Sequence, residues 1–435
     1  MMSSTRRLSP VRALRPILAG ALGLLTAATA CAQPAAPPPP AAPAAPKPEP
    51  PRLSLIDCLR IANERQPTLA AARASLAAHQ AAQRGVDELR APKLLAPDLP
   101  IRRKQSLRGV DAAQAELYQA EYDTSYAVIR MYYTAVYARQ QFEVAEEVVT
   151  GLLFWRDLVA RVVQGGGDPN LNQDVVDRLN VYLKLAEARQ AQALTGIERA
   201  LAALREAMGV GPEFGDFRPL DTRLPVPPVK PDKDVVVALA LARRGELVQA
   251  IVAADVTRLE VCAQSMFRFR PQVRTFAASS DIHAKSLPTG LRNGEYRPGA
   301  VGIEMPANVA GSRESRMEQV RAYGARAESV VEKTRRLITL EAEDAYETWL
   351  ESERQVEANR EAARLSKLLA ERTRGNVANI KKEDILQTDV LAGQAQAAYN
   401  EALYHQILSL ANLERITAGG FNAGIVPAPA PAAAP

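Results

Sequence analysis

Between Leu53 and Gly420 the chain is dominated by Ala, Leu, Glu, Arg, Gln and Val, and its apolar positions recur at steps of three and four, the spacing of a single helix face. Most of these residues are strong helix formers. Two segments exceed the roughly 8–20 residues of an ordinary globular helix. Gly109–Gln164 holds no proline and one internal glycine, Gly151; as one helix it would be about 84 Å long. Ser312–Arg374 would reach about 95 Å. Such lengths predict coiled-coil packing. Tyr118, Tyr122, Tyr126, Tyr133 and Tyr137 step by four, four, seven and four, so they fall on one face, expected as a packing seam.

The pattern occurs twice. Leu53-Ser-Leu-Ile-Asp57 opens a helix running through Ala62, Pro67 and Leu69, and Asp234 opens a second running through Ala242 and Leu247. Aligning Ala62 with Ala242 and Leu69 with Leu247 calls for a two-residue gap. Further on, Asp174-Val-Val matches Asp384-Ile-Leu, and Gly209 matches Gly419, both 210 positions apart. Glycine after a helix is the expected C-cap. Each half reads as short helix, connector, very long helix, turn, long helix, glycine stop. The repeats are assigned to residues 53–211 and 234–420, with a proline-rich linker at 212–233.

The connectors differ. Pro271–Gly311 contains two partly alternating stretches, Val273–His283 and Tyr296–Met305, separated by a turn-rich run, so a β-hairpin is expected at about 272–308. Arg90–Arg108 is short, carries Pro92, Pro97 and Pro100, and has no room for two strands of about 9–11 residues each.

The N-terminus changes where the protein is placed. Arg6, Arg7, Arg12 and Arg15 precede the apolar run Ile17–Leu25 and the small residues up to Ala30, which reads as an export signal over residues 1–30. Two readings meet at Cys31: ordinary cleavage after Ala30, or a lipobox in which Cys31 is acylated, with Ala28 where leucine is usual. Residues 31–52 form a Pro/Ala-rich linker of polyproline II character. Residues 421–435 are expected to be a disordered tail.

Composition then removes function classes. Fifty-four Lys+Arg against forty-nine Asp+Glu give a net charge of +5, spread along the chain, so no clustered basic face points to nucleic acid. No apolar run reaches about 18 residues. Three cysteines provide no disulfide framework and no zinc spacing. Cys58 and Cys262 are expected to stay apart and buried, and Trp155 and Trp349 to be packed. Three scattered histidines supply no metal or nucleophile centre, and no acid/base constellation appears. An enzyme, a cofactor and a resident metal are not expected.

The order of these pieces resembles the TolC family of outer-membrane efflux proteins over about residues 53–420. The resemblance rests on Leu53-x-Leu-x-x-Cys58-Leu-x-x-Ala62 with Pro67-x-Leu69, and on its echo Ala240–Leu247. It also rests on Gly302-Ile-Glu-Met-Pro306 with Gly311, and on Tyr399–Leu403 through Leu410–Glu414 to Gly419-Gly420. It implies a mainly α fold of duplicated long antiparallel helical hairpins, a tunnel subunit with a short β-hairpin in the second repeat only. It implies a homotrimer in the outer membrane, on its periplasmic side, working with a periplasmic adaptor and an inner-membrane pump as a passive efflux or secretion channel. The helix-to-helix turns would form the periplasmic tip or gate, with Gly165, Gly166, Gly167 and Asp174 in one turn and Gly375 and Asp384 in the other. The missing first hairpin departs from the family and leaves an alternative: a lipid-anchored periplasmic coiled-coil protein, structural or adaptor-like, without its own pore.

Overall fold

In a computed structural model the described residues are 50–90, 92, 95–166, 172–276, 304–375 and 382–425, with side chains omitted at 382–386. All belong to one unit, Pro50–Pro435. The elements in chain order are β1 (Arg52–Leu53), α1 (Leu55–Arg65), α2 (Pro67–Glu88), α3 (Leu99–Gly165), α4 (Gln173–Ala207), β2 (Arg218–Pro219), α5 (Lys233–Arg243), α6 (Gly245–Met266), β3 (Gln272–Arg274), β4 (Asn308–Ala310), α7 (Arg313–Gly375) and α8 (Lys382–Ile416). The two long rods are α3, with 67 residues, and α7, with 63, or about 100 and 95 Å at the helical rise.

The duplication is closer than the sequence suggests. Helices α1 and α5 each have 11 residues, α2 and α6 each have 22, and both pairs begin 178 positions apart. No gap is needed: Ala62 corresponds to Ala240 rather than Ala242, and Cys58 to Val236, all four of them buried. The caps correspond as well. The Ser54 hydroxyl accepts from the Asp57 amide in a capping box, and the Asp232 carboxylate accepts from the Val235 amide. Gln66 and Arg244 break the two helix pairs with nearly equal extended backbone angles, φ −66 ψ 118 and φ −64 ψ 125.

Helix α2 lies along the N-terminal part of α3 and α4 along its C-terminal part, while α6 and α8 do the same for α7. The start of α2 abuts the end of α4. Gln66 Nε2 donates to the carbonyls of Glu206 and Ala207 at 3.1 and 3.0 Å, taking two of the acceptors a helix end leaves open. Gly209, at φ +69, sits so close that a Cβ there would lie 2.5 Å from Gln66 Cα. Toward the turns the helices form a row, α4–α3–α8–α7, joined at its centre by α3 and α8.

The main core lies where the short helices meet the middle of the rods, around Val128, Tyr132, Val136, Leu204, Ile338, Leu410 and Leu413. The parallel pair β1–β2 closes this level, and the Tyr132 hydroxyl donates to Asp221 Oδ2 at 2.9 Å. Burial pushes the Cys58 thiol up to about 12, so it stays an inert apolar filler. Cys262 departs from expectation: it is exposed on α6, because its position there faces away from α7 and α3. Trp155 and Trp349 are both buried, as expected. In the tyrosine stripe, Tyr133 is buried, Tyr137 stacks on Tyr404 at 4.7 Å, and Tyr126 and Tyr122 are partly covered, but Tyr118 is 55% exposed. A straight helix drifts relative to its partner, so the stripe does not face the seam over its whole length.

The expected hairpin is present at its root. Strands β3 and β4 pair antiparallel, with Val273 opposite Val309 and both buried. The second strand lies beyond Glu304–Met305, which carry no strand assignment, and follows Pro306, which has no amide to give to a ladder. Residues 277–303, which include most of the expected strand positions, lie outside the described residues. The first connector forms no strand among its described residues, and α3 starts at Leu99, so Leu99–Arg108 is helical. Pro100 is in the first turn, where its missing N–H is not needed.

Candidate functional site at the two ends of the rods

At the turn end, α3 stops at Gly165, and Gly166 adopts φ 67 ψ 23 with its amide directed at the carbonyls of Val162 and Val163. Helix α4 is capped by Asn172, whose side-chain oxygen accepts from the Val175 amide at 3.3 Å. Asp174 is exposed in the first turn, where the positive end of the helix dipole favours a carboxylate. On the other hairpin, Gly375 ends α7, with Arg372 and Arg374 in its last turn. Asp384 falls in the first turn of α8, and its side chain lies outside the described residues, as does Gly167.

What joins these two turns was not legible in the sequence. Asp389 of α8, almost fully buried, accepts from Trp155 Nε1 of α3 at 2.7 Å and ion-pairs with Arg374 Nη2 of α7 at 2.8 Å. One carboxylate thus ties both hairpins together close to their turns. Its only sequence signal was an acid at a core-facing position between Thr388 and Val390. Leu152, Trp155 and Val159 of α3 pack with Val175, Val176 and Leu179 of α4 around this link.

At the opposite end, a buried polar cluster holds the root of the hairpin. Glu260 of α6 has no exposed surface. It is ion-paired with Arg102 of α3, accepts from Gln105 and Gln264 at 3.0 and 2.8 Å, and takes the Phe276 amide at 3.0 Å. Burial alone would raise its carboxyl. Arg102 and the two amides more than offset that and hold it below the ordinary carboxylate range. Arg316 of α7, 1% exposed, donates to the carbonyls of Phe267 and Arg270 at 2.5 Å each and of Gly311 at 2.8 Å, and to Gln264 Oε1 at 3.2 Å. Sequence reading missed this cluster, since its members come from distant segments, Arg102 and Glu260 alone being 158 positions apart.

Among the described residues no group of three or more His, Cys, Asp or Glu is placed to hold a metal ion, and no helix is long and apolar enough to cross a membrane.

No protein-family model matches the chain. Over 122 residues it is 32% identical to the alkaline protease secretion protein AprF of Pseudomonas aeruginosa. That stretch is 28% of this chain and 25% of AprF, so the chain spans about a quarter of that relative's length. The fold is matched far more widely. The outer membrane protein VceC of Vibrio cholerae superposes with a TM-score of 0.64 at 14% identity, covering 85% of this chain and 97% of VceC. The MtrE outer membrane channel of Neisseria gonorrhoeae, in its open state, gives 0.63 at 15% identity, covering 84% and 89%. The fold is that of outer-membrane channel proteins, the class to which the TolC-family resemblance points. Among the described residues no closed barrel is present: the strands form two two-stranded sheets.

Proposed function

We propose that the chain is a subunit of an outer-membrane efflux or secretion channel, a divergent member of the TolC family whose first β-hairpin is missing. The observation that carries this reading is the row α4–α3–α8–α7, which has apolar residues left on its outer members. Leu365, Leu368 and Leu369 form an exposed stripe on α7, opposite its buried face, and Val181 and Leu185 are exposed on α4. Rods about 100 Å long with bare flanks are suited to lie against further copies, α4 of one against α7 of the next. A closed trimer of such rows would give a twelve-helix tunnel. Gly165, Gly166, Gly167, Asp174, Gly375 and Asp384 would then line its periplasmic tip and meet a periplasmic adaptor and an inner-membrane pump. The repeat boundaries at 53–211 and 234–420, export through residues 1–30 and acylation at Cys31 belong to the same proposal. AprF, whose name places it in protein secretion, supports an export role.

Light scattering of the purified protein tests the assembly: a trimer is expected, and a monomer overturns it. Planar-bilayer conductance tests the pore. One observation favours the second reading, a lipid-anchored periplasmic rod. Among the described residues each subunit has one hairpin root, and a single hairpin per subunit would give a trimer six strands, fewer than the roughly eight that enclose a packed barrel. A trimer that never conducts decides for that reading.

A further inference from the structure

The hairpin-root end of the rods carries a surface that the tunnel does not use. Arg102 and Arg103, neighbours in the first turns of α3, reach opposite ways. Arg102 Nη2 donates to the Arg274 carbonyl at 3.0 Å, and Arg103 Nη2 donates to the Leu89 carbonyl at 2.9 Å. The connector after α2 and the chain leaving α6 therefore lie side by side over one helix start. On them sit three exposed apolar groups: Phe269, at 96% the most exposed large hydrophobic residue among the described residues, and Leu95 and Leu89, both more than half exposed. Between these lie Arg90, Arg268, Arg270 and Arg274, all exposed and none in an ion pair among the described residues. Arg270 stacks over the Phe267 ring at 4.9 Å. Residues 266–274 contain three arginines and no acid. The exposed acids described at this end are Asp87 and Glu88 on α2, Glu304 ahead of β4, and Glu314 and Glu318 on α7; Asp87 pairs with Arg103 and Glu304 with Arg326.

We propose that this end face is a seat for an anionic phospholipid surface, with Phe269, Leu89 and Leu95 entering the headgroup layer and the four arginines binding phosphates. The charge pattern selects this occupant. Guanidinium groups match phosphate oxygens in paired hydrogen bonds, and a bilayer presents a plane of them, whereas a protein partner would have to supply a matching set of acids. An aromatic ring between two arginines suits a boundary that is apolar on one side and charged on the other. Position agrees: the apolar residues proposed to join copies lie along the flanks of α7 and α4, and the arginine patch lies at the end of the rods, apart from those flanks. The inference deepens the channel reading and rests on it only for which membrane is met. The seat would hold the rods upright on the leaflet even where the strands do not complete a barrel.

The test uses the full mature chain with Cys31→Ser, so that no acyl chain contributes. Binding to vesicles of phosphatidylglycerol and phosphatidylethanolamine is compared with binding to phosphatidylcholine. Preference for the anionic vesicles is expected, weakening as salt is raised. Each arginine near a charged membrane contributes roughly a fivefold gain, so R268Q/R270Q/R274Q should lose on the order of 100-fold. Phe269→Ser should lose roughly tenfold on both vesicle types. Phe269→Trp, beside the buried Trp155 and Trp349, should shift its emission to the blue and be quenched by brominated lipid. Unchanged binding by the triple variant overturns the proposal. So does burial of the Phe269→Trp ring in a lipid-free oligomer, which would make the patch a contact between copies. A chain that binds vesicles but never conducts keeps the seat and removes the channel. A conducting chain whose Phe269→Trp ring ignores lipid removes the seat alone.

Discussion

The two connectors that feed the long rods do the same topological job with different chemistry. The first, from Leu89 to Asp98, closes on itself: the amides of Leu95 and Ala96 return to the Pro92 carbonyl, and those of Ile101 and Arg102 return to Asp98. Arg103 braces it from α3 and is half-exposed, and Arg102 pairs with Asp98 at its end. The second sends the chain out as β3 and brings it back as β4. Where it leaves and re-enters the helices, the carbonyls of Phe267, Arg270 and Gly311 are left without helix or strand partners. Carbonyls turned away from water must be matched, and Arg316 bonds all three, the one of Phe267 buried and the other two partly so. Glu260 and Arg102 supply the remaining bonds. A connector that returns at once needs only turn hydrogen bonds. One that departs needs buried charge at its root.

This difference can be broken from the hairpin side first. Arg316→Met should cost about 4 kcal/mol, because one buried and two part-buried carbonyls lose their donor together; urea unfolding checks it, and limited proteolysis should then cut between 267 and 312. The equivalent brace in the first repeat, Arg103→Met, should cost under about 1 kcal/mol, since its bonds are solvent-facing. Gly209→Ala comes next, at about 3 kcal/mol: the residue is held at positive φ, and the added carbon meets the Gln66 backbone. Glu260→Gln should cost about 2 kcal/mol, leaving Arg102 without its charge partner. Because the Glu260 carboxyl is held below its ordinary value when folded, its contribution is complete above about pH 5 and is lost as pH falls through that lowered value. The acid limb of a thermal-melt series should therefore be shallower in Glu260→Gln than in the parent chain. The smallest effect sharpens the comparison of the repeats at the other helix ends. The amide that closes the last turn five residues back belongs to Val210 after α4 and to Gly419 after α8, so the position equivalent to Gly209 is Ala418, at φ 44. Ala418→Gly should stabilise by about 0.5 kcal/mol, relief of the left-handed strain being partly offset by glycine's entropy.

The rods were legible because length and a missing proline speak locally. Ser312–Arg374 was expected helical, and α7 runs Arg313–Gly375. The start of α3 was placed ten residues late, because three prolines in Arg90–Arg108 read as a loop, although one of them is compatible with a helix start. The duplication was visible through the opening motifs and a glycine after each last helix, but the match of Gly209 to Gly419 is one residue out, since Ala418 is the equivalent position, and the false gap came from matching one alanine among many. The turn residues Gly165, Gly166 and Gly375 do end the rods. Their companion Asp389 stayed hidden, as did Glu260 and Arg316, because a buried charge is recognisable only with its partner, and the partners come from other helices. The exposure of Cys262 and Tyr118 shows the same limit: residue type alone does not say which face of a rod is covered.

The abutment of α2 on the end of α4, at Gln66, has a mechanical consequence. Two straight helices of 3.6 residues per turn fall out of phase by about 20° in each heptad, so an unbroken partner along all 67 residues of α3 would lose its matching face well before the end. Splitting that partner into α2, with 22 residues, and α4, with 35, restarts the phase at mid-length. Each piece then accumulates only a few heptads of error, and the two pieces are free to lean across the rod at different angles. The junction works as a vernier, letting a single long strut keep two separately tuned neighbours.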